Sequence, residues 1–134
     1  MALYLLRHAE AKPSEEDPQR PLSAVGRSQA AKIAKFLKTA GVEVPIFWHS
    51  DKLRARQTAE LVAAGSSHDA ELVERVNLAP NDSIKPARLA VADLETDLMI
   101  VGHLPHLNRL LSALVADDKD AEINLDVYDQ VGAQ

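Results

Sequence analysis

The chain has 134 residues, 46% hydrophobic and 26% charged, which is typical of one water-soluble globular domain. Its net charge of -5 argues against a surface that attracts nucleic acid, so any phosphate site must be a local positive pocket. The absence of cysteine excludes disulfides, zinc–thiolate sites and a cysteine nucleophile. No apolar run approaches the roughly 20 residues of a membrane helix, and no signal peptide is recognisable, so a cytoplasmic location is expected.

Hydrophobic periodicity predicts strands and helices that alternate along the chain. In chain order they are strand Leu3–Leu6, helix Ala24–Lys38, strand Val44–Trp48, helix Leu53–Ala64, strand Glu71–Val76, helix Pro86–Leu94, strand Asp97–Val101 and helix His106–Val115. Ser23 is placed to cap the first helix, and Gly41 and Gly65 are expected to end the first and second helices. This alternation predicts one α/β domain over residues 1–134, a three-layer sandwich whose mostly parallel central sheet has helices on both faces.

Three of the predicted strands end at residues that suit a phosphate site. Arg7 and His8 follow the first strand. Ser50 and Arg54 follow the second strand, and His103 follows the fourth. Because ligands of open α/β sheets bind beyond the carboxyl ends of the strands, these side chains are expected to meet in one pocket. There the arginines would hold phosphoryl oxygens while one imidazole attacks phosphorus and the other donates a hydrogen bond.

The motifs that contain these residues resemble those of the histidine phosphatase superfamily, and most closely those of its small SixA-type phosphohistidine phosphatases. In chain order the motifs are Arg7-His8-Ala9, then Arg20-Pro21-Leu22-Ser23 followed by Gly26-Arg27 and Gln29-Ala30, then Ser50 with Arg54-Ala55 and Gln57-Thr58, and last Gly102-His103-Leu104-Pro105. They follow the order of the family and extend over about residues 3 to 115. Alanine stands at position 9 where the family's first motif has glycine, a change also common in that family.

The resemblance implies a phosphoglycerate-mutase-like fold and a phosphatase that needs no metal and no other cofactor. His8 would attack phosphorus and become a phosphohistidine, which water would then hydrolyse. Arg7, Arg54 and His103 would hold the phosphoryl oxygens through both steps. The further substrate-binding candidates are Arg20, Ser50 and Gly102.

A general acid is a second implication of the resemblance. Larger members of the family use a carboxylic acid between the motif that runs from Ser50 to Thr58 and the final histidine, and Glu74 and Asp82 lie in that interval. A phosphohistidine has a nitrogen leaving group that departs easily once protonated, so it depends less on a positioned acid. The compact chain therefore favours a phosphohistidine-bearing protein as substrate and partner, and neither nucleic acid nor a membrane. A general phosphomonoesterase acting on a small phosphate ester, and a weakly active phosphate-binding regulatory module, remain the alternatives.

The other histidines and Asp51 have structural interpretations. A metal site is disfavoured, because no histidine pair has the H-x-x-x-H spacing and the arginines would repel a cation. His49 and His68 are expected at the surface or in loops, and His106 is expected to be structural. Asp51 replaces the proline that the family carries after the serine, and we expect it to cap the following helix.

The tail after the fourth predicted helix contains one weak strand candidate, Glu122–Val127. Relatives generally continue with two further strands, so the C-terminal strands are expected to be shortened and the sheet to have a bare edge. A bare edge favours pairing with another chain, which predicts a homodimer.

Overall fold

The computed structural model describes residues 1–117 and the backbone of residues 124–128. The strands are β1 (Ala2–Arg7), β2 (Ile46–His49), β3 (Glu71–Glu74), β4 (Leu98–Gly102) and β5 (Asn124–Tyr128). The helices are α1 (Ala24–Thr39), α2 (Leu53–Ser66), α3 (Lys85–Ala92) and α4 (His106–Asp117). No helix in the described part of the chain is long and apolar enough to cross a membrane.

The five strands form one sheet in the order β3-β2-β4-β1-β5, and every neighbouring pair is parallel. Successive residues of β1 point to opposite faces, so Leu6 packs with α1 and α2 whereas Leu5 packs with α3 and α4. Two apolar layers result, one on each face of the sheet. The predicted α/β three-layer sandwich with a parallel central sheet is therefore confirmed.

The predicted limits of α1 are confirmed, whereas the predicted end of α2 is wrong. The Ser23 hydroxyl accepts the backbone N–H of Gly26 at 3.0 Å and caps α1. Gly41 follows α1 with a φ of 73°, a left-handed conformation that suits glycine. Gly65 does not stop α2, which continues to Ser66. A Cβ at Gly65 would lie 2.7 Å from the Cβ of Ala34, so this glycine allows α2 to approach α1 closely.

The strands differ from their predicted extents by one or two residues at an end; the second, expected over Val44–Trp48, is β2, Ile46–His49. The third strand, expected over Glu71–Val76, ends at Glu74, and Val76 lies outside it with 74% of its surface exposed. The tail strand, expected over Glu122–Val127, is β5, which pairs with β1 in parallel from Ala2 to Leu6. In the described part of the sheet, β5 is the edge strand on this side and covers β1. The rest of the predicted tail lies outside the described residues.

Candidate active site

The three strands whose ends carry the candidate residues are consecutive neighbours in the sheet, β2, β4 and β1. Arg7, the last residue of β1, is in register with Gly102, the last residue of β4. The backbone N–H of His8 donates to the carbonyl of Gly102 at 3.0 Å, so the segments that follow β1 and β4 leave the sheet side by side. As a result the rings of His8 and His103 lie with their centroids 5.0 Å apart, tilted by 53°.

The side chain of His8 is oriented by its own backbone neighbour. Its Nδ1 lies 2.7 Å from the carbonyl oxygen of Ala9. Because a carbonyl can only accept, Nδ1 carries the hydrogen, and Nε2 of the neutral ring keeps its lone pair. Burial is the main cause that lowers the pKa of His8 to about 4, and the charges of Arg54, Arg7 and Arg20 add to it. At neutral pH the ring is therefore uncharged, with one nitrogen able to act as a nucleophile.

The loop after β1 is held in place by polar side chains of α1 and α2. Ala9 N–H donates to the hydroxyl of Thr58 at 3.0 Å, and that hydroxyl donates to the carbonyl of Arg54 at 2.7 Å. Two glutamine carbonyl oxygens accept the other loop N–H groups: Gln29 accepts from Glu10 at 2.9 Å and Gln57 accepts from Leu22 at 2.8 Å. The sequence interpretation assigned no role to these three side chains, although all lie within the quoted motifs.

Gly26 in α1 lets this helix lie directly against the loop. A Cβ at this position would stand 1.9 Å from the backbone carbonyl oxygen of Glu10, closer than any real contact. The carbonyl of Glu10 also accepts the backbone N–H of Ser23 at 3.0 Å, which ties the start of α1 to the same point. The motif from Arg20 to Ala30 therefore carries glycine at position 26 because a larger residue would clash with the loop.

Three arginines surround His8. Arg54 lies in the first turn of α2, and its buried Nε has no hydrogen-bond partner among the described residues. Burial, followed by the charge of Arg20, lowers the pKa of Arg54. Arg20 has a φ of 50° and donates from Nε to the carbonyl of Lys12 at 3.0 Å. Together with Arg7 at the end of β1, they form a cationic cluster in a protein whose net charge is negative.

His103 is almost fully buried and contacts Ser50. Its Nε2 lies 2.7 Å from the Ser50 hydroxyl, while its Nδ1 has no hydrogen-bond partner among the described residues. Burial first, then the neighbouring His8 and the charge of Arg54, lowers the pKa of His103 to about 3. The structure thus places Ser50 against His103 and the Gly102 carbonyl against His8. Ser50 and Gly102 are both substrate-binding candidates, and each forms a hydrogen bond with one of the two histidines.

Neither candidate acid is among the charged groups that shift the pKa of His8. Glu74 ends β3, three strand spacings from β1, which is roughly 14 Å at the usual spacing of about 4.8 Å. Asp82 accepts the backbone N–H of Ala79 at 3.0 Å, and its charge acts on His106. Whether either serves as an acid stays a prediction.

Two expectations about individual residues near the site are wrong. His49 is not a surface or loop residue: it ends β2, is 4% exposed, and its Nδ1 lies 2.9 Å from the Ser50 carbonyl. Asp51 does not cap α2, because Lys52 occupies the N-cap position and no side chain caps this helix. In place of such a cap, the Ser50 hydroxyl accepts the N–H of Lys52 at 3.3 Å.

The remaining histidines match their structural interpretations. His68 is exposed, 3.4 Å from the Asp69 carboxylate. His106 begins α4 and is fully buried, and burial is the main cause that lowers its pKa. Within the described residues, no group of three or more histidine, aspartate or glutamate side chains is arranged to hold a metal ion.

An open groove leads to the cationic cluster from the protein surface. It has a volume of about 430 Å³ and runs along Arg54 and Arg20. Its other lining residues are Pro18, Gln19, Asp51, Lys52 and Leu53. The positive charges of Arg20, Lys52 and Arg54 make this groove suited to an anionic ligand.

Comparison with known proteins assigns the family. Residues 3–78 match the model of the histidine phosphatase superfamily (branch 1). This chain belongs to the histidine phosphatase superfamily. An uncharacterized protein of Picosynechococcus sp. strain PCC 7002 is 33% identical to it, over 93% of this chain and 79% of the relative.

Solved structures agree with the superfamily assignment. The protein histidine phosphatase SixA complexed with tungstate is 25% identical, with a TM-score of 0.77 over 84% of this chain and 75% of that chain. A provisionally assigned phosphohistidine phosphatase SixA from Agrobacterium tumefaciens is 28% identical, with a TM-score of 0.71 over 87% and 78%. A phosphoglycerate mutase from Plasmodium falciparum, at 22% identity and a TM-score of 0.66 over 84% and 67%, shares the fold. Superfamily membership supports phosphatase activity for this chain.

Proposed function

We propose that this protein is a phosphohistidine phosphatase of the SixA type, in which His8 is the nucleophile. The observation that carries the proposal is the state of the His8 ring. Its Nδ1–H is committed to the Ala9 carbonyl, its Nε2 keeps a lone pair, and its pKa is lowered to about 4. A neutral imidazole beside Arg7, Arg54 and Arg20 combines a nucleophile with the cations that a phosphoryl group requires.

The reaction has two steps. Nε2 of His8 forms a bond to phosphorus as the phosphorus–nitrogen bond of the substrate histidine breaks, and the departing imidazole nitrogen takes a proton from solvent. Water then attacks phosphorus, the bond to Nε2 breaks, and inorganic phosphate leaves with His8 neutral again. The arginines neutralise charge on the phosphoryl oxygens in both steps, which is the main contribution that a protein makes to phosphoryl transfer.

Two features support phosphohistidine as the substrate class. The charged groups that shift the pKa of His8 are all arginines, and neither Glu74 nor Asp82 is among them. A nitrogen leaving group depends less on a positioned acid than the oxygen of a phosphate ester does. The open groove beside Arg20 and Arg54 also leaves room for a phosphohistidine carried on a protein.

The test is phosphate release from a phosphohistidine peptide and a phosphoserine peptide, with a metal chelator present. The wild-type protein is expected to hydrolyse phosphohistidine, and His8→Ala is expected to lose at least about 10³-fold in rate because the covalent route is gone. The exposed His68→Ala variant is the matched control and should keep the wild-type rate.

Each other outcome has a distinct meaning. Comparable release from phosphoserine would indicate the general phosphomonoesterase, and Glu74→Gln and Asp82→Asn would then identify its acid. Binding of phosphate without turnover of either peptide would indicate the regulatory module. A His8→Ala variant as active as wild type would refute the assignment of the nucleophile.

A further inference from the structure

The contact between Ser50 and His103 joins two buried polar side chains beside the proposed nucleophile. Ser50 follows β2 and is 0% exposed, while His103 follows β4 and is 1% exposed. Their side chains meet at 2.7 Å, from the hydroxyl oxygen to Nε2. Because both groups are buried, the protein groups around them decide the direction of the hydrogen bond.

The hydrogens around Ser50 can be counted. A serine hydroxyl has one hydrogen to donate and two lone pairs to accept with. Among the described residues Ser50 Oγ has two partners, the backbone N–H of Lys52 and Nε2 of His103. The N–H of Lys52 can only donate, so among the described residues Nε2 is the acceptor for the Ser50 hydrogen. If Nε2 accepts, the hydrogen of the neutral ring is on Nδ1.

We propose that Ser50 is a positioning residue that holds His103 in the Nδ1–H tautomer and fixes its ring beside His8. The kinetic part of this inference rests on the proposed function, but the tautomer does not. Ser50 was expected from the sequence to bind substrate, and the geometry assigns it a role that acts through His103 instead.

The two histidines then have opposite roles although they share a tautomer. His8 donates from Nδ1 to the Ala9 carbonyl, so the nitrogen left over is Nε2 with a lone pair, a nucleophile. His103 accepts at Nε2 from Ser50, so the nitrogen left over is Nδ1 with a hydrogen, a donor. The His103 ring, whose centroid lies 5.0 Å from that of His8, would present this donor to the oxygens of a phosphoryl group that His8 attacks.

Loss of the Ser50 hydroxyl would remove this control. Without a donor at Nε2, the neutral ring of His103 could place its hydrogen on either nitrogen. The Nε2–H tautomer would turn a lone pair at Nδ1 toward phosphoryl oxygens, where it would repel them. Because the contact matters most when charge develops on those oxygens, kcat should fall more than KM rises.

The experiment measures the His103 tautomer by ¹⁵N NMR of the imidazole nitrogens in the full-length protein at neutral pH, without substrate. The wild type should show a protonated Nδ1 and an unprotonated Nε2. Ser50→Ala should shift His103 toward the Nε2–H form. Ser67→Ala is the matched control, because Ser67 is also buried and accepts a backbone N–H, from Val44 at 3.0 Å, but lies at the far end of α2.

Kinetics give the second readout. Ser50→Ala should lower kcat for the phosphohistidine peptide by about 10²-fold, the loss expected when a group in the site is misplaced, with little change in KM. Ser67→Ala should match the wild type. The inference is overturned if wild-type His103 is the Nε2–H form or is doubly protonated, or if Ser50→Ala changes neither tautomer nor kcat. If the wild type hydrolyses neither peptide, the proposed function fails while the NMR result still decides the tautomer, even where Ser50→Ala does not fold.

Discussion

The loop over residues 8–23 and the segment over residues 75–84 both leave the carboxyl end of a strand, yet they are held in different ways. In the first, backbone N–H groups donate to side chains of Gln29, Gln57 and Thr58, which belong to two different helices. In the second, the side chain of Leu78 is buried, and the Asp82 carboxylate accepts the N–H of Ala79 within the same segment.

This difference separates precise positioning from simple attachment. Apolar burial is non-directional, so it fixes a segment to the core without specifying where each backbone atom lies. Hydrogen bonds from distant side chains specify both distance and direction. The segment held by them is the one that carries His8, where the chemistry depends on the exact place of one nitrogen.

The largest effect should come from closing the space between α1 and the loop. Gly26→Ala would place a Cβ 1.9 Å from the Glu10 carbonyl oxygen, a backbone atom that cannot rotate away. We expect it to lower the free energy of unfolding by about 3 kcal/mol, the upper end for overpacking, measured by urea denaturation. Gly41→Ala has open space but a φ of 73°, and should cost only about 1 kcal/mol. A Gly26→Ala variant no less stable than Gly41→Ala would contradict this interpretation.

A smaller effect should follow from removing one anchor of the loop. Thr58→Val keeps the shape of a buried side chain but leaves the N–H of Ala9 without its acceptor, which should cost about 1–3 kcal/mol of unfolding free energy. Displacement of the adjacent His8 should also lower kcat for phosphohistidine hydrolysis.

The matching change in the second segment is Asp82→Ala. It removes the acceptor of the Ala79 N–H, which is only partly buried, so water can replace the carboxylate. Its unfolding free energy should therefore fall by less than that of Thr58→Val. Equal losses in the two variants would remove the distinction between the two segments.

The smallest effect concerns the charges around His8. The nucleophile must be neutral, and its pKa is lowered from 6.5 to about 4, so activity should persist as the pH falls below 6.5 and be lost through about 4. Arg20→Ala removes one of the charges that lower this pKa and should move the acid limb of kcat/KM upward. The shift should be modest, because burial is the larger cause. An acid limb near 6.5 in the wild type would show that His8 is not shielded as described.

The same pKa values determine whether the free energy of unfolding rises or falls as the solution is made acidic. Between pH 6.5 and about 4 the unfolded chain binds protons that the folded His8 and His103 do not, so stability falls as the pH falls through that window. His106, which begins α4, contributes in the same direction, because its pKa is also lowered.

Much of the fold was predictable, because its signals are local. Ser23 as a cap and the left-handed Gly41 follow from backbone chemistry within a few residues, and the alternation of apolar runs gave the parallel sheet. The errors fall where a distant element intervenes. From the sequence alone Gly65 indicates the end of a helix. The structure shows instead that this position must be small because Ala34 of the facing helix lies directly against it. His49 reads as a loop residue because nothing near it in sequence shows that β2 lies between two other strands.

The sequence by itself determined the fold class, the superfamily motifs and which residue types occupy the strand ends. These depend on periodicity and on the identity of residues close together in the chain. Only the tertiary structure decided that Gln29, Gln57 and Thr58 hold the loop, and that Ser50 contacts His103 rather than standing alone. The physical reason is that the role of an imidazole nitrogen is set by the partner it meets in space. His8 meets a carbonyl and keeps a lone pair, whereas His103 meets the hydroxyl of Ser50, which lies 53 residues away in the sequence.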